Sequence, residues 1–338
     1  MPIQHGLRVP AVGTPAETGA FAKRVEAAGF DFMLTPDTPL LAGLWRDVYL
    51  HLHAAAMQTT TLGLGPGVTN PMTREPISTA GAIVTLDDAS AGRARLVAGT
   101  GYSSAYIIGK KAAKLADMRA AIGLWKSLFS GRRTDLGALE VELGPNYAQL
   151  PVFMAASAPK ALALAGEIAD GVLIMVGSAP GTVAWALERV DEGAARAGRR
   201  PEDVKRFLVH TVSMDPDHGR ALDSLRPCVA VMCGAGNAET LFGRAGLEVP
   251  VRPVDFEEPY PDLIHAVDWD EAIRLSRFVP DEAVEKMMVA GDADAVVERT
   301  RALLDLGLDG FWWRDEFSWT RPDALLADLE NGVLARLR

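Results

Sequence analysis

The chain has 338 residues, 49% hydrophobic and 23% charged, the balance of a soluble globular protein with one large α/β domain or two ordinary ones. Its 34 basic residues against 44 acidic ones leave a net charge of −10. That sign argues against a nucleic-acid partner, and the small cluster of Lys110, Lys111 and Lys114 does not reverse it. Two cysteines, Cys228 and Cys233, make neither a disulfide framework nor a zinc spacing and read as reduced core thiols. No signal peptide opens the chain and no apolar run reaches about 18 residues, so no membrane span and a cytoplasmic location are expected.

The elements alternate from the start. A short strand in "IQHGLRVP" precedes a helix from Pro15 to Ala28, where Phe21, Val25 and Ala28 recur at helical spacing and Gly29 stops it. "FDFML" is a second strand, followed by a helix through "LWRDVYLHLHAAAMQ". "LGLGPGVT" is a third strand, and Pro76 opens the helix "PISTAGAIVTLDDAS". "ARLVAG" is a fourth strand, with one long helix expected from Ser104 to Phe129. Residues 130 to 150 suit a small hairpin. Next come the strand "PVFMAAS", a helix from Pro159 to Ile168, the strand "DGVLIM" and a helix opened by Pro180. "KRFLVHTVSM" is the seventh strand, with helical sequence after it. A helix from Ala293 to Leu306, the strand "DGFWWR" and a terminal helix from Pro322 complete the order.

Eight strands, each followed by helix, imply a parallel sheet with right-handed crossovers. At this length the (β/α)8 TIM barrel is favoured over an open doubly wound sheet, since no GxGxxG follows the first strand. Residues 247 to 280 are proline-rich and read as an insertion between strands seven and eight of one domain, 1–338.

In such a barrel the site lies at the C-terminal strand ends. Here those ends carry Gly67, Gly99, Gly101, Ala155, Ala156 and Gly177, and small side chains on adjacent strands leave room for a broad, flat ligand. In strand three, Gly63, Gly65, Pro66 and Gly67 crowd an apolar run that they would weaken, which suits a bulge approached closely by something flat. Ser157 ahead of Pro159 makes a helix start with free N–H groups, either an anion site or a simple cap.

The segments "LGPGVTNPMTREP", "IVTLDDASAGRARLVAGTG", "PVFMAASAPKALALAGEIADGVLI" and "FVPDEAVEKMMVAGDADAVVERTRALLDLGLDGF" resemble the luciferase-like superfamily of flavin- and deazaflavin-dependent oxidoreductases. Within it they are most similar to the branch containing methylenetetrahydromethanopterin reductase. The resemblance implies F420 or FMN at the barrel mouth and a non-prolyl cis peptide at Gly67-Val68 that backs the cofactor ring. It implies that Thr69 and Asn70 bond the ring's polar edge and that Gly101 lies near it. Backbone N–H groups of Ala155, Ala156, Ser157 and Ala158 would hold the cofactor phosphate, with Gly177 and Ser178 completing the pocket. A homodimer is implied as well. Two departures stand out. Tyr102 replaces a common acidic residue, and Ala158 replaces a common glycine.

Three residues are candidates for chemistry. Asp37 is either an acid/base beside the ring or a cap between prolines. Tyr102 is either a substrate contact or an exposed loop residue. His210 reaches the site only if its place on strand seven faces inward. Trp45, Trp312 and Trp313 could wall an apolar pocket, though adjacent strand residues face opposite ways. No metal-ligand cluster stands out. The expected activity is that of an oxidoreductase using reduced F420 or FMN for hydride transfer to, or oxidation of, a small organic substrate. The rival readings are an FMNH2-dependent monooxygenase fed by a flavin reductase, a non-catalytic flavin-binding protein, and a phosphosugar enzyme.

Overall fold

The computed structural model describes residues 2–144, 147–316 and 319–337. Its strands are β1 (Gln4–Arg8), β2 (Phe32–Thr35), β3 (Gly63–Thr69), β4 (Leu96–Ala98), β5 (Thr134–Asp135), β6 (Glu140–Val141), β7 (Val152–Ala156), β8 (Gly171–Ile174), β9 (Lys205–Ser213), β10 (Val289–Ala290) and β11 (Gly310–Arg314). The first helices are α1 (Pro15–Ala27), α2 (Val48–Ala56), α3 (Pro76–Ser90), α4 (Tyr102–Tyr106), α5 (Leu115–Phe129), α6 (Pro159–Ile168) and α7 (Pro180–Arg196). Then follow α8 (His218–Cys233), α9 (Ala238–Arg244), α10 (Trp269–Leu275), α11 (Asp281–Met287), α12 (Ala293–Leu304), α13 (Asp323–Gly332) and α14 (Leu334–Leu337).

Eight strands pair in parallel in the order β9-β11-β1-β2-β3-β4-β7-β8, and β8 returns to β9 to close the ring. This is the expected (β/α)8 barrel. The two layers of core follow from the strand period of two. Phe32, Leu34, Val97, Phe153, Leu173, Phe207, Val209 and Trp312 point inward, while Leu7, Met33, Leu64, Leu96, Val152 and Leu208 meet the helices. Phe207 closes the barrel floor by edge contacts with Phe32 and Phe153, at centroid distances of 5.3 and 5.8 Å. Truncating one such ring to alanine costs about 3–5 kcal/mol. Glycines make space for the rings: a Cβ at Gly6 would lie 1.9 Å from the Phe32 ring.

The structure departs from the expected elements in three places. The helix expected from Ser104 to Phe129 is two helices, α4 and α5. Gly109, at φ +70°, closes the first, and the Ala113 N–H donates to the Thr100 carbonyl at 2.8 Å, pulling the intervening chain back to the mouth. Helix α2 starts only at Val48, because the Asp47 carboxylate caps it through the N–H of Tyr49 at 2.9 Å. The hairpin is the antiparallel pair β5–β6, and residues 145 and 146 of that expected segment lie outside the described residues. Strand β10 was not expected; two residues are too few for a pattern, yet they pair with Val212 and Ser213 of β9.

Residues 247 to 280 carry short 3-10 turns and α10, and contribute no strand to the barrel. They return to the mouth at Ile264 and His265. Among the described residues, no helix is long and apolar enough to cross a membrane. Cys228 and Cys233 are free thiols, the first buried and the second partly so.

Candidate active site

A cavity of about 650 Å³ opens at the C-terminal ends of the strands. One wall is the end of β3. There the Gly67-Val68 peptide bond is cis, and the pairing with β4 slips between Gly67 and Thr69, so strand three carries a bulge where the glycines are densest. The bulge is tightly enclosed: a Cβ at Gly67 would lie 2.6 Å from Leu34 Cβ and 3.1 Å from Trp312 Cζ2. A Cβ at Gly99 would lie 2.9 Å from Val68 Cγ2. Gly67, Val68, Gly99, Ala155 and Ala156 therefore present backbone and methyl groups to the cavity, a smooth surface for a planar ligand.

The next wall is the start of α6. Ala158 is the N-cap residue, at φ −89° and ψ 150°, and Pro159 follows in the first turn. Among the described residues no side chain caps this helix. Ser157 is not the cap; its carbonyl accepts a hydrogen bond from Asn237 Nδ2 at 2.9 Å. Ser157, Ala158 and Lys160 all line the cavity, so the positive end of the helix faces it directly.

Tyr102, at the start of α4, also lines the cavity and is 78% exposed. Gly101 precedes it at φ +75°, the left-handed conformation that a glycine adopts freely.

Five other expected residues stand behind the wall instead of on it. Asp37 accepts a hydrogen bond from the Thr69 hydroxyl at 2.7 Å and pairs with Arg74 at 3.3 Å. Arg74 also pairs with Asp47 at 2.9 Å, and these two carboxylates raise its pKa although burial opposes them. Asn70 donates to Ser104 Oγ at 2.9 Å and accepts from the N–H groups of Met72 and Thr73, both at 3.0 Å. Asp37, Thr69 and Asn70 are thus a buried brace for the bulge. Gly177 and Ser178 are drawn elsewhere, because the Ser178 N–H donates to the Met287 carbonyl at 2.7 Å. Met175 lines the cavity at that edge.

His210 is misplaced for chemistry. Inward positions on β9 are those of Phe207 and Val209, so His210 faces the helix layer. Its ring lies between Ser178 Oγ at 3.0 Å and Thr300 Oγ1 at 3.1 Å, fully buried. Burial pushes its pKa down to about 3, which keeps the ring neutral. The tryptophan pair splits as alternation requires: Trp312 lines the cavity and Trp313 is buried in the outer core.

Sequence reasoning missed the third wall. Arg8, Arg314 and His265 join Trp45 there, from four separate parts of the chain. Arg8 lies over the Trp45 ring at 5.6 Å, and His265 meets the same ring edge-on at 5.8 Å. Burial lowers the His265 pKa, and Asp262 holds its Nδ1 at 2.8 Å. No spacing in the sequence links positions 8, 45, 265 and 314. Only closure of the barrel does. Among the described residues, no group of three metal-ligating side chains occurs.

The fold, the braced bulge and the helix-start cradle define a class. The chain belongs to the luciferase-like monooxygenase family, whose description matches residues 1–310. Among its relatives is the 5,10-methylenetetrahydromethanopterin reductase of Archaeoglobus fulgidus, 33% identical over 85% of this chain and 86% of that one. The F420-dependent glucose-6-phosphate dehydrogenase of Beutenbergia cavernae is 28% identical, covering 96% of this chain and 94% of that one. In fold, the chain matches the F420-dependent tetrahydromethanopterin reductase of Methanopyrus kandleri with a TM-score of 0.80, at 23% identity and with both chains fully covered.

Proposed function

We propose that the protein is an F420-dependent oxidoreductase that moves a hydride between the bound deazaflavin and a small organic substrate. The observation that carries this reading is the β3 bulge between Gly67 and Thr69, beside a cavity whose neighbouring walls carry glycine and alanine. A planar tricyclic ring fits such a surface, and a phosphate fits the uncapped start of α6. The family membership and the two F420-named relatives support the choice of cofactor. F420, when bound, supplies two-electron hydride chemistry without activating oxygen.

The residues of the chain then have separable tasks. The brace of Asp37, Thr69, Arg74 and Asn70 holds the bulge in place. Ala158 and Lys160, at the helix start, take the cofactor phosphate through backbone N–H groups. Tyr102 offers a phenol at the open edge, where it contacts substrate. Trp45 and His265 cover the cavity and exclude water. We read the chain as one domain, with 247–280 as its insertion.

The test is an anaerobic titration of the purified protein with F420, FMN and FMNH2, followed by absorbance and fluorescence. Selective, tight binding of F420 is the expected result. Selective binding of FMNH2 would replace this reading with a monooxygenase served by a flavin reductase. Failure of all three at tens of micromolar would end the cofactor reading.

A further inference from the structure

Arg8 ends β1 and Arg314 ends β11. The parallel register pairs Gly6 with Trp312 and Leu7 with Trp313, which sets the two arginines side by side at the next step. Both line the cavity. Burial, and then the charge of Arg314, pull the Arg8 pKa down to about 9, so Arg8 is still a cation at neutral pH. Asp315 and Glu316 follow Arg314 in the chain, and burial raises the pKa of both, Asp315 to about 7. Arg314 directs its Nε and Nη2 to the carbonyls of Asp315 and Glu316, at 3.1 and 3.5 Å. Two adjacent guanidinium groups therefore stand in one cavity wall.

A second observation points to a ligand. Trp312 sits two residues before Arg314 on β11, so it shares the same face of the strand. It is 4% exposed and lines the cavity, yet among the described residues its indole Nε1 has no hydrogen-bond partner. A buried N–H without a partner costs about 1–3 kcal/mol, and a ligand in the cavity can satisfy it.

Position completes the case. In the ring of eight strands, β1 is four steps from β7 and so lies across the mouth from the helix-start cradle. A cofactor held by its phosphate at β7 with its ring against β3 leaves the β11–β1 sector for the second ligand. We infer that the substrate carries an oxyanion, a carboxylate or phosphate, bound between Arg8 and Arg314, with Trp312 donating to the same molecule. This rests on the cofactor reading, because that reading fills the other half of the cavity.

The experiment uses the full chain saturated with F420, so that the start of α6 is occupied. Inorganic phosphate, propionate and the neutral propionamide are titrated by calorimetry into wild type, R314Q, R314K and R8K. Phosphate or propionate is expected to bind, the tighter one naming the group, while propionamide does not. R314Q is expected to weaken that anion by about tenfold or more, the loss of a charged hydrogen-bonding partner, with R314K less affected. The Kd for F420 is expected to be unchanged in R314Q. Equal anion affinity in wild type, R314Q and R8K would overturn the inference. So would anions that bind no better than propionamide. If wild type does not bind F420, the cofactor reading has failed separately. The comparison is then made in an A158D background, whose carboxylate blocks the start of α6, and R314Q still reads the arginine pair.

Discussion

The two sides of the cavity are built from different materials. From β3 round to β7 the wall is backbone, methyl groups and an open helix start, joined by the hydroxyls of Thr100, Tyr102, Ser103, Ser104 and Ser157 and by Lys160. From β11 to β1 it is side chain: two arginines, two tryptophans and a histidine brought in by the insertion. A backbone wall recognises shape and a phosphate, properties common to a cofactor used by many enzymes. A side-chain wall recognises charge and outline, which distinguish one substrate from another. Under the proposed function, the common partner would bind to one half and selectivity would come from the other.

The strongest way to break this contrast is A158D. An aspartate at the N-cap of α6 is expected to stabilise the protein by about 0.5–2 kcal/mol, because it supplies the missing cap. The same carboxylate would repel a cofactor phosphate, by about 4 kcal/mol at contact before relaxation. A higher Tm with F420 binding weakened about a hundredfold is the expected pair, measured by thermal melts and fluorescence titration. If both fall together, the helix start is structural only.

G67A tests the bulge. The added Cβ meets Leu34 at 2.6 Å, so a loss of about 1–3 kcal/mol in denaturant-measured stability is expected, together with weaker cofactor binding. W312F sharpens the other side. It removes an indole N–H that has no hydrogen-bond partner among the described residues, so stability should hold or rise. Affinity for the anionic ligand should fall about threefold to tenfold in the same calorimetric titration.

D315N has a pH signature. Burial raises the Asp315 pKa from 3.8 to about 7 in the folded protein, so folding favours the protonated carboxyl. That contribution is fully present below the unfolded value and is lost as pH rises through about 7. Asparagine cannot ionise. The melting temperature of D315N should therefore match wild type below the unfolded value of 3.8, exceed it by a growing margin as pH rises to about 7, and keep that margin in mild alkali. The smallest effect belongs to H210N, which should leave the pH profile of activity unchanged, since the native ring stays neutral down to about pH 3.

The same contrast explains what was legible in the sequence. The backbone wall is written locally: Gly63, Gly65, Pro66 and Gly67 in one strand, and Ser157, Ala158 and Pro159 at one helix start. The barrel itself followed from strand and helix periods and from proline and glycine at helix ends. The arginine wall is written nowhere in particular, because its members lie hundreds of residues apart and meet only through the β1–β11 pairing. Asp37 and Asn70 are legible as residues at the strand ends, whereas their partners are not. Nothing in the sequence shows that Arg74 and Ser104 return to hold them. Gly177 and Ser178 are expected in the pocket from resemblance alone, and in the structure the Ser178 N–H donates to the Met287 carbonyl.

The insertion that carries His265 is tied to the barrel from both directions. Trp319 Nε1 donates to the Ala266 carbonyl at 2.8 Å. Arg226, 4% exposed within α8, donates to the Val279 carbonyl and to the Asp281 carboxylate. Fraying of this segment would require a buried guanidinium to give up its partners, so the cover over the cavity should not open on its own. Its backbone amides around Leu263 to Ala266 should exchange with deuterium as slowly as those of the β9 strand, and a protease should find no early cut there.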